Sequence, residues 1–293
     1  HVTMGDYRIP GEMSKAKNAR TIFGPVGGAQ ITPDSLKIYE KNIFTAKIRE
    51  LVNASCSINP FYIKKIREYT DVIASNDETY QQIIQIRGRA NTQQMVELGI
   101  AEEYKKRKIV TKSDGKLKIL FSGRLIEKKG VIFLIEVMNL LKEKVDFELN
   151  LCGWGNLSDT ISQLIDEYEL NDYVNMVGEI RHDKMVSYYY NADVFVMPSL
   201  RETGGTVLIE AMAYGLPIVA FDTSFCTQLK RHKCGIFVET NQTIDKIKAD
   251  FCSALVELSG NRQLCYELGK NGYRYANEEL TWEKKYNLIF EKM

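Results

Sequence analysis

Between residues 117 and 238 short apolar runs alternate with longer amphipathic ones, and this alternation limits the chain's folding options more than any other feature. Runs suited to buried strands fall at 117–121, 147–152, 174–177, 194–197, 216–220 and 235–238, with helical patterns at 131–144, 158–168, 184–190 and 206–214. Strands this apolar, each followed by a helix, require a parallel sheet covered on both faces. The expected architecture for this half is a doubly wound α/β domain.

The segment from Pro198 to Ala220, PSLRETGGTVLIEAMAYGLPIVA, joins one such strand to the next. Its strand runs into a loop carrying Glu202 and the pair Gly204-Gly205, then into a helix from Thr206 to Tyr214 that Gly215 stops. The loop thus delivers a helix N-terminus to the end of a parallel strand, where unpaired N–H groups and partial positive charge suit phosphates. Glu202 and Glu210 flank that anion site.

Composition narrows the class. The chain has 293 residues, 44% hydrophobic and 26% charged, and no apolar run approaches the roughly 20 residues that span a bilayer. Six cysteines without a CxxC pair fit a reduced, cytoplasmic protein. The formal net charge is only +1, yet residues 1–112 hold 18 Lys and Arg against 12 Asp and Glu. That imbalance suits either an anionic partner, such as a membrane surface or a lipid pyrophosphate, or a solvated face with a charged linker. No nucleic-acid partner is expected.

In the first half, Leu36, Tyr39, Ile43, Phe44, Ile48, Leu51 and Val52 form one apolar stripe at helical spacing, which Asn59-Pro60 ends. A short basic helix over 61–69 follows, then a buried strand over 71–75 and a helix to Ile86 with Asp77 as its N-cap. The polar run 105–115, KKRKIVTKSDG, reads as the linker to the second half.

A glutamate, seven residues, and a second glutamate followed by Ala-Met-Ala and Gly-x-Pro resembles the signature of the retaining glycosyltransferases of family 4, which have the GT-B fold. Where that family usually carries Glu-Gly-Phe-Gly, this chain has Glu202-Thr203-Gly204-Gly205. His1-Val2-Thr3 and Gly24-Pro25-Val26-Gly27-Gly28 resemble segments midway through the family's first domain. The resemblance therefore implies two Rossmann-like domains, the N-terminal one incomplete and the C-terminal one complete. The domains expected are residues 1–112, a partial acceptor-side domain with linker; 113–274, a nucleotide-sugar donor domain; and 275–293, a helix returning to the first.

The same resemblance implies the site. Arg124 and Lys129, from the loop Gly123-Arg124-Leu125-Ile126-Glu127-Lys128-Lys129-Gly130, hold the donor diphosphate, with Lys128 as a competitor for the lysine role. Glu210 accepts from the ribose hydroxyls, Glu202 lies near the transferred sugar, and Gly204 and the N–H groups of Gly205, Thr206 and Val207 face the phosphate. Gly123 and Gly153 supply close backbone turns, while Gly178 and Ile180 meet the base. His1, Gly27 and Gly28 are acceptor-side candidates, and His182 and His232 read as surface residues. No metal and no cofactor beyond the nucleotide-sugar co-substrate is implied, because Arg, Lys and a helix N-terminus neutralise the leaving diphosphate. In families with lipid-linked acceptors a basic helix such as 61–69 often touches the membrane, which allows a site at its inner face. The expected activity is transfer of a sugar to a glycan or lipid-linked acceptor in cell-surface polysaccharide synthesis. Two alternatives stay open, a non-catalytic nucleotide-sugar binding fragment and a nucleotide-sugar epimerase of the same fold; donor hydrolysis and epimerised donor respectively discriminate them.

Overall fold

In the second half, side chains of the central strands point alternately into two separate apolar layers. Leu117, Ile119 and Phe121 face one layer with Val131, Phe133 and Phe147, whereas Leu120 faces the other with Leu208, Met212 and Phe225. Val194 and Val196 likewise divide from Phe195 and Met197. A strand with two apolar faces must lie between two helical layers, as the alternation required.

The computed structural model describes residues 5–16, 18–100 and 115–290. His1 and nearly all of the expected linker at 105–115 lie outside the described residues. Strands β5 (Leu117–Ser122), β6 (Phe147–Cys152), β7 (Val174–Gly178), β8 (Val194–Met197), β9 (Ile218–Phe221) and β10 (Gly235–Val238) form one sheet in the order β10-β9-β8-β5-β6-β7. Its described pairings are all parallel. The order reverses between β5 and β8, so the chain leaving these two strands leads to helices in opposite layers, with a crevice at the strands' C-terminal ends. Helices α4 (Val131–Leu141), α5 (Ser158–Glu167), α6 (His182–Asn191), α7 (Thr206–Ala213), α8 (Phe225–Arg231), α9 (Ile244–Gly260) and α10 (Arg262–Glu279) cover its faces.

The first half forms a smaller parallel sheet, β1 (Gly5–Asp6), β2 (Ile22–Gly27), β3 (Asp71–Ala74) and β4 (Thr92–Gln94), paired in that order. Helices α1 (Ile43–Ile58), α2 (Pro60–Glu68) and α3 (Asp77–Arg87) accompany it. The last helix, α11 (Trp282–Phe290), meets this half again: Ile100 N donates to Leu280 O at 2.7 Å, and Lys285 Nζ donates to the Val96 carbonyl. Among the described residues no helix is long and apolar enough to cross a membrane.

Two local expectations are corrected. The N-cap of α3 is Asn76, whose side chain accepts from Thr79 N at 3.0 Å, and Asp77 occupies the first turn. Nor is the apolar stripe from Leu36 to Val52 one helical face. Residues Asp34–Tyr39 form a 3-10 turn, and a new helix starts at Ile43 because Asn42 accepts from Phe44 N at 2.9 Å and caps it. Leu36 and Tyr39 point into the core of the second half, Tyr39 packing edge-on against Phe133 with ring centroids 5.8 Å apart. Helix α1 instead buries Ala46, Asn53 and Cys56. Small Ala46 permits close approach, and the Asn53 amide donates to Ala29 O at 2.9 Å. The consequence is that Ile43, Phe44, Ile48, Leu51 and Val52 are exposed, Phe44 and Leu51 by 69% and 70%.

Candidate functional site

Three loops meet at the C-terminal ends of β5, β6 and β8. The loop after β5 lies directly under that after β8: Leu200 N donates to Lys128 O at 3.0 Å, and a Cβ on Gly130 would fall 1.9 Å from Pro198 O. Gly130 also has φ 66°, so both the conformation and the contact require glycine. The loop after β6 is as close on the other side, since a Cβ on Gly153 would lie 1.8 Å from Gly123 O. Gly153 N in turn donates to Gly178 O at 2.8 Å, which ties the end of β7 to the group. Ile180 is half-buried beyond it.

Helix α7 enters this crevice with its N-terminus unsatisfied. Gly205 takes φ 54° at the N-cap and offers no side chain to cap it. The N–H groups of Gly205, Thr206 and Val207 donate to no acceptor among the described residues. Gly204 and Gly205 are buried, and Thr206 is exposed at the opening. Such an end is a partial positive charge awaiting an anion.

The charged groups around it are unevenly matched. Lys129 Nζ pairs with Glu202 Oε2, the two side chains only 16% and 12% exposed. Burial pushes the Glu202 carboxyl up, but the Lys129 ammonium, the hydrogen bond from it and nearby Lys128 outweigh burial and hold the group below the usual carboxylate range. Lys128 is also half-buried; burial pushes its ammonium down, with Glu202 opposing. Arg124 is exposed, and its guanidinium is not paired with any described residue. One turn into α7, Glu210 Oε2 accepts from Tyr189 OH at 2.8 Å, and His182 Nδ1 stands 4.0 Å from Oε1. His182 is exposed, as expected, yet it is at the rim of the site. Among the described residues no group of three or more His, Cys, Asp and Glu side chains is placed to hold a metal ion.

The first half closes over the same loop. A Cβ on Gly27 would fall 2.2 Å from Thr203 Cγ2 and 2.7 Å from Ser75 Oγ, so Gly27 lies where the two sheets meet. Gly28 lies beside it against Asp6, 2.8 Å from Oδ1 to the same hypothetical Cβ. Gln30 Nε2 donates to Thr203 Oγ1, and Asn76 Nδ2 donates to Thr203 O at 3.4 Å. Across the cleft from Glu202 stands Glu97, half-buried; burial pushes its carboxyl up, Ser75 works against that by hydrogen bonding, and Glu202 adds to it. Sequence reading missed Thr203, Gln30, Asn76 and Glu97. Each is an ordinary polar loop residue, and only the approach of segments far apart in the chain makes it part of a site.

Residues 102–275, more than half of the chain, match the family described as Glycosyl transferases group 1. The chain belongs to that family. Among curated relatives, the amylovoran biosynthesis glycosyltransferase AmsK of Erwinia amylovora is 36% identical over 40% of this chain and 30% of its own length. The GDP-mannose-dependent alpha-(1-6)-phosphatidylinositol monomannoside mannosyltransferase of Mycobacterium tuberculosis is 26% identical over 55% of this chain and 43% of its own. The matches thus span less than half the length of these relatives. Among solved structures, WaaG, a glycosyltransferase involved in lipopolysaccharide biosynthesis, superposes with TM-score 0.63 at 18% identity, covering 96% of this chain and 80% of that one. TarM from S. aureus, solved as a mutant with UDP, gives TM-score 0.60 at 22% identity over 79% of this chain and 46% of that one. The fold of this group 1 chain is therefore GT-B, with two Rossmann-like sheets facing each other across a cleft.

Proposed function

We propose that this chain acts as a retaining glycosyltransferase of family 4, moving a sugar from a nucleoside-diphosphate sugar to a glycan or lipid-linked acceptor in cell-surface polysaccharide synthesis. The observation that carries it is the unsatisfied N-terminus of α7, flanked by the Lys129–Glu202 pair and by Glu210. In the reaction the bond from the sugar's anomeric carbon to the phosphate oxygen breaks and the nucleoside diphosphate leaves. An acceptor hydroxyl attacks from the same face and passes its proton to the leaving phosphate. Charge grows on that phosphate, and Arg124, Lys129 and the N–H groups of Gly205, Thr206 and Val207 neutralise it; one such preorganised donor is typically worth about 3 kcal/mol of barrier. Glu210 accepts from the ribose, Glu202 faces the sugar, and Gly123, Gly153, Gly178 and Ile180 line the nucleotide side. Gly27 and Gly28 belong to the acceptor side.

Calorimetry with UDP, GDP and ADP tests the donor site. At least one is expected to bind, and to bind equally in EDTA; no binding at millimolar concentration would sink the donor assignment, and a strict magnesium requirement would sink metal independence. Transfer or donor hydrolysis by the same chain then distinguishes an enzyme from a binding fragment.

A membrane contact at the cytoplasmic face belongs to this reading. The exposed stripe Phe44, Ile48 and Leu51 on α1, with Phe61 in the first turn of α2, is bordered by exposed Lys41, Lys47 and Lys64, a pattern suited to an anionic lipid surface. The chain is expected to sediment with phosphatidylglycerol vesicles and to lose this when Phe44 and Leu51 are both replaced by glutamate. Equal sedimentation of the double variant would remove the membrane from the proposal.

A further inference from the structure

The short segment from Gly28 to Thr32, directly after β2, collects three arginines that come from distant parts of the chain. At its start, Asp6 Oδ1 lies 2.8 Å from a hypothetical Cβ on Gly28. Arg8 grips that aspartate, Nε donating to Oδ1 at 2.7 Å and Nη2 to Oδ2. In the middle, Asn53 of α1 is anchored on Ala29 O, and Arg49 lies one turn earlier on the same inner face as Ala46 and Asn53. At its end, Arg201 Nη1 donates to Thr32 Oγ1 at 2.8 Å and pairs with the half-buried Glu40.

The charges do not balance. Asp6 is taken by Arg8, Glu40 by Arg201 and Thr32, and Arg49 has no acceptor among the described residues. Its side chain is half-buried. Burial, then Arg201 and Arg8, push its guanidinium below the ordinary arginine value, with Asp6 and Glu40 opposing, so three cations and two anions share one field. Three guanidinium groups against two carboxylates leave one positive charge in excess, and the free donors of half-buried Arg49 are where a bound anion can answer it.

The position of this group says which molecule brings the anion. Arg201 directly precedes Glu202, and their side chains diverge: Glu202 turns to Lys129 on the diphosphate side, Arg201 to Thr32 and Glu40 on the first-sheet side. Gly27, one residue before the segment, is at the meeting of the sheets. An anion at Arg49 therefore lies on the first-sheet side of the cleft, apart from the Lys129 side assigned to the donor phosphates.

We propose that Arg49, supported by Arg8 and Arg201, binds a phosphate or pyrophosphate group carried by the acceptor. The inference rests on the glycosyltransferase reading for the word acceptor, though not for the anion site itself. A phosphate dianion fits better than a carboxylate, because its added charge and third oxygen answer the excess of positive groups. The phosphate can belong to a soluble phosphomonoester or to a lipid headgroup, and the same chemistry recognises both.

The test uses glycerol phosphate as the probe, titrated into the whole chain and into Arg49→Gln, Arg49→Lys and Lys129→Met. Saturable binding is expected for the wild type, weakened about tenfold or more in Arg49→Gln, largely kept in Arg49→Lys, and kept in Lys129→Met. Nucleoside diphosphate binding should show the opposite dependence, falling in Lys129→Met, so failure of the donor site and failure of this site are read separately. No saturable binding by the wild type at millimolar concentration overturns the proposal. So does binding that is unchanged in Arg49→Gln, or that is lost in Lys129→Met. Vesicles of phosphatidylcholine with and without phosphatidic acid identify the source. Headgroup-dependent binding that glycerol phosphate displaces and that needs Arg49 marks a lipid phosphate; glycerol phosphate binding with no vesicle binding marks a soluble one. Circular dichroism and melting of each variant establish that the fold is intact.

Discussion

Glu202→Gln should tighten nucleoside diphosphate binding while making the free protein less stable, a combination that follows from the Lys129–Glu202 pair. Both side chains are about five-sixths buried, at 16% and 12% exposure. Removing one partner of a fully buried pair costs about 3 to 5 kcal/mol, and the residual exposure together with the amide's remaining hydrogen-bonding capacity reduces this to roughly 1 to 3 kcal/mol. In the wild type a diphosphate must share or displace the contact between Lys129 and Glu202. In the variant the ammonium has no competing carboxylate, and the gain is that of one charged hydrogen bond less its screening, about 1 to 2 kcal/mol or a five- to thirtyfold lower Kd. Calorimetry at neutral pH with whichever of UDP, GDP and ADP binds measures the second effect, and urea unfolding measures the first. Unchanged or weaker diphosphate binding in a folded Glu202→Gln protein would refute the competition. It would mean that Lys129 serves both carboxylate and phosphate at once, or neither. The pH dependence has a defined sign as well. Glu202 is held below its unfolded value of about 4.3, so its contribution is present above that pH and is lost as pH falls through the lower folded value; the Gln variant should lack this acid-sensitive part.

Other substitutions test separate links. Glu210→Ala should weaken nucleoside diphosphate and nucleotide sugar alike by about 1 to 3 kcal/mol, because the ribose is common to both, and calorimetry showing a loss for the sugar nucleotide alone would contradict the ribose role. Lys285 is pushed down to about 8 by burial, Glu97 opposing. Its unfolded value is near 10.4, so between those values the unfolded chain binds more protons and stability rises with pH by about 2 kcal/mol. Urea unfolding at pH 8 and pH 10 should show that rise in the wild type and a smaller one in Lys285→Met; an identical rise would assign it to other groups.

The limits of the sequence show most clearly in α1. Spacing correctly marked Ile43, Phe44, Ile48, Leu51 and Val52 as recurring at helical intervals, but periodicity says only that residues share a face, not what covers it. The inner face is set by Ala46 and by Asn53 reaching Ala29, contacts between segments more than 20 residues apart that no local pattern encodes. Asn42 and Asn76 were readable as caps in principle, since Asn before a helical run is a local signal; at the second, adjacent Asp77 carries the same signal, and only the hydrogen bond decides.

What the sequence determined by itself is the part of the protein governed by short-range geometry. The apolar runs at β5 to β10 alternate with helical patterns, which leaves a parallel sheet between two helical layers as the way to bury them, and Gly204-Gly205 before Thr206 sets a helix N-terminus at a strand end. The tertiary structure decided the rest. Strand order placed the loop after β5 beside the loop after β8, so that Lys129 meets Glu202 across 73 residues of chain. Closure of one sheet on the other made Thr203, Gln30 and Asn76 neighbours and left Arg49 beside two paired arginines. Charge pairing falls off over a few ångströms and depends on burial, so which cations end up neutralised and which remain open to a ligand is settled only when distant segments are brought together.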